Sequence, residues 1–548
     1  MVAALVAAAA LWAARPPATA PPVGPRPLDH APFAFHVHTT RSDGTGSRDT
    51  VAAAAARAGL AAVILADHGD GRRRSDPPAY LDGVLVIDAV EISTWSGHYV
   101  AIGAAAAPYP LGGEPRAVVE DVARLGGFGV ASHPGSAKED LRWRDWDAAI
   151  DGVEWLNGDS EWRDRPRRVW RTALAYPFRA VEAVTALVDR PAFELTQWDR
   201  AAARRPVVGL AAHDAHARLG LRGVGEPYEE GLSLAVPSYR VLFESFSNVA
   251  MLPSRLSGRA DEDAAALLAA LRAGRVYAVL SGIAPSGEVR FEGQSGGGRA
   301  AMGAHLRPDG PVRLQFQADV PAGATSVLVC DGREVARAAG GALDWQQATD
   351  PGACRVEVRV EWDGGERPWL VTNPIYARAV LAAAPPLLPD ARTLTPLAAA
   401  APAAWTIETA TDATAVVARS AGAVDAIDFS WQLGPSAPTF AAIQTATPPE
   451  LAGATAVTFR AAADRPRRLW VQVRVPDGTG QRWGASFYVD RVPREIRVPL
   501  TALAPFGDAH VAPVPLDRVT ALLVVTDTVH AEAGSRGSLT LGPVQLAR

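Results

Sequence analysis

The sequence predicts an α/β barrel of parallel β/α units followed by two all-β domains. Three observations carry this expectation. Over the first 216 residues, short apolar, strand-like runs each end at or just before a His, Asp or Glu, with helical stretches between several of them. From Ser286 the pattern changes to short alternating runs such as VRLQFQADV, ATSVLVCDG and CRVEVRVEW, broken by Gly, Pro and Asp. After a stretch rich in Ala and Pro the chain is again β-rich, with RRLWVQVRVP, WGASFYVD and ALLVVTD. Alternating strand and helix patterns build barrels, and short alternating strands with turn residues build sandwiches.

Taken in order, residues 1–27 are a leader and linker. The apolar run from Val2 to Ala14 is followed by Arg15, prolines and Ala18-Thr19-Ala20, which resembles a secretory signal without its usual positive start. An exported, periplasmic or extracellular protein is expected, with a cytoplasmic one as the alternative. The run is short for a membrane span and no other stretch reaches the length of a transmembrane helix, so no integral membrane segment is expected in the mature chain.

The barrel is expected over 28–285. Ser47 to Ala58 reads as its first helix, capped by Ser47 or Asp49 and stopped by Gly59. Residues 155–205 read as a helical insertion rich in Trp and Arg, and 261–274 as a late helix. The alternating region 286–380 reads as an antiparallel, Ig-like β-sandwich. Residues 381–402 read as a linker and 403–548 as a jelly roll of the galactose-binding or carbohydrate-module kind.

Nine side chains at the strand ends could bind metal. They are His36, His38 and Asp43 in FAFHVHTTRSDG, His68 in VILADHGD, Glu91 in VLVIDAVEIS, His98 in SGHYVAIG, His133 in GFGVASHPG, and Asp214 with His216 in VVGLAAHDAH. In a parallel barrel, side chains leaving the carboxyl ends of the strands converge on one mouth. His36 and His38 lie two apart, so on an extended strand they face the same side. A lone histidine here would be a packed core residue, but independent accidents do not place His, Asp and Glu at six successive strand ends. Imidazole suits Zn or Fe and carboxylate suits Mn, so Zn, Mn and Fe all stay open. Nine ligands exceed what one zinc ion takes and suffice for two or three divalent ions. Metal lowers the pKa of bound water from about 15.7 to roughly 7, which makes a hydroxide nucleophile and points to hydrolysis of a small-molecule substrate.

HVHTTRSDG, ADHGD, the Glu91 and His98 segments, SHPG and HDAH follow in order the motifs of the polymerase and histidinol phosphatase (PHP) family, which this chain resembles over about residues 33 to 220. The resemblance implies a distorted (β/α)7 barrel with a two- or three-metal site that hydrolyses phosphoesters. Carried over motif by motif, the family's ligands fall on the same nine residues. Two departures stand out. Many relatives read Gly-Ser-Asp-Ala-His in the last motif, where this chain reads Ala-His-Asp-Ala-His, and Gly69 stands where relatives carry an acidic residue. His213 therefore has two readings: a residue packed outward, because neighbours on a strand face opposite sides, or a catalytic acid for the leaving group.

Arg41 is a candidate substrate-binding residue whose planar donors could clamp a phosphate, against the ordinary reading of a solvated turn arginine. Glu154 and Asn157 in GVEWLNGDSEW match a Glu-x-x-Asn element of relatives and could orient the ligands. Arg163, Arg165, Arg167, Arg168, Arg171 and Arg179, interleaved with Trp162 and Trp170, read first as a solvated charged face and second as an anion attractor. The segment 237–252 and the appended β-domains resemble a carbaryl-hydrolase-like branch, which widens the substrate class to carbamates or amides.

The formal net charge of −5 argues against nucleic acid as a partner. Cys330 and Cys354, the two cysteines, could face each other across a sheet and bond, or remain buried thiols. Trp470, Trp483 and Tyr488 could offer a sugar-stacking platform, although aromatics on strands are more often core. The rival to an enzyme is a non-catalytic, glycan-binding surface protein.

Overall fold

In the computed structural model, residues 24–163, 166–220, 233–234, 236–379, 394–476, 481–506 and 513–548 are described. The signal-like leader through residue 23, Arg165 and residues 381–393 of the expected linker lie outside them, as do the side chains of residues 162–171. The chain divides into two compact units, one of residues 1–69, 74–105 and 122–383, the other of 70–73, 106–121 and 384–548.

Along the chain, β1 (His30–Val37) is followed by α1 (Arg48–Arg57), β2 (Ala62–Leu65), β3 (Ala79–Leu81), β4 (Val84–Thr94), β5 (Gly97–Ile102) and α2 (Pro115–Arg124). Next come β6 (Phe128–Ala131), β7 (Gly152–Asn157), α3 (Gly158–Arg163), α4 (Pro166–Thr185), α5 (Ala192–Ala202) and β8 (Val208–Ala212). A two-strand pairing of β9 (Leu219–Gly220) with β10 (Ser233–Leu234) precedes α6 (Tyr239–Ser245), β11 (Ser247–Met251), α7 (Ala260–Arg272) and β12 (Val276–Val279). Helix α1 forms where expected: the Ser47 side chain accepts from Thr50 N–H, Asp49 sits in the first turn, and Gly59 ends it with φ of 71°.

Seven strands lie in the order β1, β2, β4, β5, β6, β7, β8. Their chain-order neighbours are parallel except at β5, which runs antiparallel to both β4 and β6. The expectation of repeated parallel β/α units is corrected here. Only Trp95 and Ser96 separate β4 from β5, and a parallel crossover needs about a dozen residues, so the link can only be a hairpin. Among the described residues, helices occupy three of the links, α1 after β1, α2 after β5, and α3 to α5 after β7; a complete (β/α)7 alternation is not formed.

Strands β1 and β2 are buried on both faces, as near-continuous apolar runs require. Phe33, Phe35, Ile64, Ile87, Val100 and Leu210 share one core with Leu267 and Leu271 of α7. Ala34, Val37, Val63 and Leu65 pack on the other side with Val51 and Ala55 of α1 and with Phe243 of α6.

The sheet continues from β1 through β11 and β12 to the strand Gly365–Thr372, with Tyr277 opposite Thr372. That strand belongs to a β-sandwich, where Val289–Ser295 and Val312–Ala318 alternate buried and exposed residues. Phe291, Leu314, Phe316, Val356, Val358 and Trp369 fill its core together with Tyr277 and Val279 of β12. Cys330 and Cys354 stand directly opposite each other and are bonded, so they are not buried thiols.

Beneath the sandwich, a buried ionic cluster joins it to α5. Arg355 is fully buried and pairs with Asp199 through two bonds of 3.0 and 2.9 Å, while Glu357 accepts from Arg355, from Arg190 at 2.8 Å and from Arg359 at 2.8 Å. Burial pushes the Asp199 carboxyl up in spite of Arg355, and the three arginines hold Glu357 low against its own burial.

The second unit is also a β-sandwich, with one sheet of seven strands and one of six around a core that includes Phe429, Trp431, Phe459, Val471 and Trp483. Trp470 faces the other side of the six-stranded sheet and is fully buried, its indole N–H donating to Asp527 at 3.1 Å and its ring 4.9 Å from His530. Arg468 is buried as well and grips Asp121 through two bonds of 2.9 and 2.8 Å. Tyr488 is half-buried, with the Arg494 guanidinium 5.3 Å over its ring. The three aromatics thus lie in different environments and do not form an exposed stacking platform. No described helix is long and apolar enough to cross a membrane.

Removing one member of a buried charged cluster strands the other. Asp199→Ala should therefore lower the unfolding free energy of the protein by about 3–5 kcal/mol. Urea denaturation at pH 7 measures this, and a loss under about 1 kcal/mol would mean that Glu357 alone suffices for Arg355.

Candidate metal centre

The nine residues converge. His36 is at the end of β1, with His38 and Asp43 just past it; His68 follows β2; Glu91 is in β4 and His98 in the facing part of β5; His133 follows β6; Asp214 and His216 follow β8. Glu91 is the hub. Its Oε2 lies 3.2 Å from His36 Nε2, 3.3 Å from His38 Nε2 and 3.2 Å from His68 Nδ1, while its Oε1 lies 2.9 Å from His98 Nδ1 and 3.0 Å from His133 Nε2. Asp214 is 3.3 Å from His38 Nε2 and 3.4 Å from His133 Nε2. Asp43 is 3.0 Å from His216 Nε2 and 3.4 Å from His38 Nδ1.

The outer nitrogens of these rings are held by the protein. His36 Nδ1 is 2.6 Å from Glu154 Oε1, His133 Nδ1 is 3.1 Å from the Leu141 carbonyl, His216 Nδ1 is 2.9 Å from the Asp214 carbonyl, and His98 Nε2 is 3.3 Å from Ser93 Oγ. A ring nitrogen that donates outward leaves the lone pair of the other pointing inward, where a cation can take it. Glu154 also accepts from His133 N–H at 2.9 Å and Asn157 Nδ2 at 2.8 Å, so its oxygens are committed to orienting the neighbours. Asn157 Nδ2 reaches Asp214 Oδ2 at 3.3 Å.

Three of the ligand candidates have left-handed backbones without being glycine: His36 (φ 60°), His133 (φ 42°) and Asp214 (φ 47°). In β1 the left-handed residue shifts the alternation, so that Phe35 packs on one face and Val37 on the opposite one. His36 and His38 therefore meet, ring centroids 5.0 Å apart, by a kink in the strand rather than by the simple two-residue repeat.

Several buried atoms at the centre make no hydrogen bond: His36 Nε2, His38 Nε2, both Asp43 oxygens and Glu91 Oε2. Buried polar atoms normally have partners. Here they face one another in overlapping groups, of which His38 with Asp43, His68 and His216, His36 with His38 and Glu91, and His68 with Glu91 and His98 have ligand atoms within 4.8 Å of each other. Imidazole lone pairs beside carboxylates are the donor set of divalent cations, and the residues fit such ions. In the protein without ions, protons take that role. Burial lowers His133, but Glu91, Asp214 and Glu154 raise it further, to about 10, and Asp43 with Asp214 raises His216 to about 9. His36 and His68 are raised in the same way, chiefly by Glu91. Glu91, Asp214 and Asp43 are held low by the facing histidines against their own burial.

The remaining candidates sit elsewhere. His213 is buried, stacked on Phe246 with centroids 4.3 Å apart, and its nitrogens face the carbonyls of Phe246 at 2.9 Å and Phe35 at 3.3 Å. Burial lowers its pKa to about 4, so it is neutral near pH 7 and its nitrogens are both turned to backbone, which suits packing better than proton donation. The Arg41 guanidinium is taken up by Asp76 and by Asp88 at 3.1 Å, rather than held open for an anion. Arg179 lies 3.8 Å from Glu182. Asp67, which the sequence reading passed over, is buried and accepts from Thr39 N–H, Thr39 Oγ1 and Ser42 Oγ at 2.7 to 2.8 Å, fixing the turn that carries Asp43. Its place beside His68 in ADHG was the available signal.

No protein-family model matches the chain, and no curated protein matches it. Among solved structures, it is similar to a two-domain protein containing a predicted PHP-like metal-dependent phosphoesterase from Bacteroides vulgatus, with 14% identity and a TM-score of 0.28, covering 65% of this chain and 99% of that one. It is also similar to a family 11 carbohydrate-binding module from Clostridium thermocellum in complex with a β-1,3-1,4-mixed-linked tetrasaccharide, with 13% identity and a TM-score of 0.22, covering 26% of this chain and 88% of that one.

A histidine raised above its ordinary 6.5 favours the folded state below that pH, and the contribution is lost as pH rises through the folded values of about 9 and about 10. The lowered carboxylates contribute above their ordinary range and lose that contribution as pH falls. Metal-free protein should thus have its highest Tm at about pH 5–6 and a Tm that declines steadily toward pH 10. Metal-loaded protein should keep its Tm over that range and lose its ions in acid, because the ligands bind deprotonated. Thermal melts with chelator and with Mn or Zn, from pH 4 to 10, would show the two curves diverging above pH 7; parallel curves would contradict the assignment.

Proposed function

We propose that the chain is a metal-dependent hydrolase of the PHP type, most at home on phosphoesters, using two or three divalent ions drawn from Zn, Mn or Fe. The observation that carries this reading is the convergence of six histidines and three carboxylates on one buried point where inward-facing atoms have no hydrogen-bond partner. The order of the motifs along the chain supports it.

Bound ions would supply a nucleophilic water at neutral pH and take up charge on the attacked group. The chain's own residues prepare the place. Glu154 holds the proton on His36 Nδ1, so that Nε2 turns inward as a donor atom, and the same carboxylate anchors the His133 backbone. The His216 ring is set by the Asp214 carbonyl and the His98 ring by Ser93. Asn157 keeps Asp214 aimed at the centre. Asp67 holds the turn that delivers Asp43. Carbamate or amide hydrolysis is the second reading, because the same activated water can attack a carbonyl carbon.

The test is hydrolysis of chromogenic phosphate mono- and diesters by metal-stripped protein resupplied with Mn or Zn. Activity should return with metal and vanish in Asp214→Ala, while Glu154→Gln should lose about 10–100-fold in metal affinity or rate. Bound metal with no turnover of either ester, together with turnover of carbamates or amides, would move the assignment to the second reading. Failure to bind metal would sink both.

A further inference from the structure

The strand that delivers Asp214 and His216 has an unusual edge. On one side β8 pairs with β7. On the other, the residues turned away from β7 are Val207, Gly209, Ala211, His213 and Ala215, every second residue as a strand requires. The last two are closed by β1 itself: His213 N–H donates to Phe35 O at 2.9 Å, Ala215 N–H to His36 O at 3.2 Å, and Ala215 O accepts from His38 N–H at 3.0 Å. Among the described residues, no strand pairs with the first three on this side through its backbone.

Side chains take the place of that pairing. Asn248 Oδ1 accepts from Ala211 N–H at 2.9 Å while its Nδ2 donates to Ala211 O at 2.7 Å. Asn373 does the same at Gly209, with bonds of 2.8 and 3.0 Å, and its Nδ2 also reaches Val276 O at 2.8 Å. The Tyr376 hydroxyl accepts from Val207 N–H at 2.9 Å and lies 3.1 Å from Val207 O. A primary amide offers one acceptor and donors side by side, so it can copy the pair of bonds that a neighbouring strand would make. Both asparagines are almost fully buried, where an unpaired backbone group would be costly. Gly209 is pressed from the other side by Trp198, whose indole an added Cβ would meet at 2.3 Å.

We propose that Asn248 and Asn373 are positioning residues for the metal centre, two amide clamps that stand in for backbone pairing and fix β8 so that Asp214 and His216 meet the ligands of β1. Asn373 and Tyr376 come from the sandwich, which makes that domain part of the support of β8. The inference rests on the metal reading of the site.

The test uses the full chain in four forms: wild type, Asn248→Ser, Asn373→Ser, and Leu314→Ala in the sandwich core as a control that loses stability without touching β8. Zinc affinity is measured by competition with a chromogenic chelator well below each Tm. The clamp variants should bind zinc about 10–100-fold more weakly than wild type, as ligand-orienting partners do, whereas the control keeps wild-type affinity despite a lower Tm. Clamp variants that fold and bind like wild type would overturn the proposal and leave the metal site standing, and so would a control that weakens as much as they do. Should the serine variants not fold, amide exchange of wild-type protein over 207–216 decides: slow exchange at Gly209 and Ala211, with zinc slowing Ala215 further, supports the clamps, and fast exchange at Gly209 and Ala211 overturns them. Wild type that binds no zinc or manganese would overturn the metal reading itself and this role with it.

Discussion

Glu154 is the carboxylate on which the geometry of the centre turns. Its two oxygens tie His36 through the ring and His133 through the backbone, and its companion Asn157 reaches Asp214. These three are the ligand candidates with left-handed backbones. Such conformations cost about 1–3 kcal/mol each in a non-glycine residue and persist only where the surroundings over-determine them. Glu154 and Asn157 can face the same way because the register of β7 against β8 shifts between Glu154 and Leu156. One irregular strand thus holds three others in conformations they would not choose alone.

Much of the centre was legible in the sequence because its chemistry demands particular residue types at strand ends. His68, Glu91, His133 and Asp214 are separated by long intervals, yet each closes an apolar run, and that repetition is visible without coordinates. Geometry was less legible. The two-residue repeat suggested that His36 and His38 share a face, whereas the strand reaches that outcome through a kink at His36. The parallel expectation failed at β5, although the two-residue link at Trp95–Ser96 already forbids a crossover. Arg41 looked free because Asp76 and Asp88 lie 35 and 47 residues away. Pairings between Gly209 and Asn373, 164 residues apart, leave no periodic trace at all.

The boundary between the α/β region and the sandwich shows the same limit. Composition changes sharply at Ser286, and alternation in Val289–Ser295 announces a sandwich. Hydrogen bonds ignore that change: β12 pairs with Gly365–Thr372, and Tyr277 and Val279 belong to the sandwich core. The ionic cluster of Arg355, Asp199 and Glu357 adds a polar joint whose members are too buried to tolerate separation. A sheet edge left open is a hazard, and covering it with a second domain both removes the hazard and fixes the strand.

Charge balance explains why so polar a centre can be buried. Asp43, Glu91, Glu154 and Asp214 are all buried, and among the described residues the ion-pair partners found for them are histidines. Four carboxylates in a poorly solvated space need positive charge, since an uncompensated buried anion is far more costly than any single packing contact. Protons on the imidazoles can provide it, because the facing carboxylates raise those rings in spite of their burial. A protonated imidazole, however, has no lone pair to offer. Protons and metal ions would therefore compete for the same atoms, and bound ions would use the inward nitrogens as donor atoms while neutralising the carboxylates. An apolar core of equal size would be simpler to fold. Six histidines around Glu91, Asp43 and Asp214 make physical sense when cations complete them.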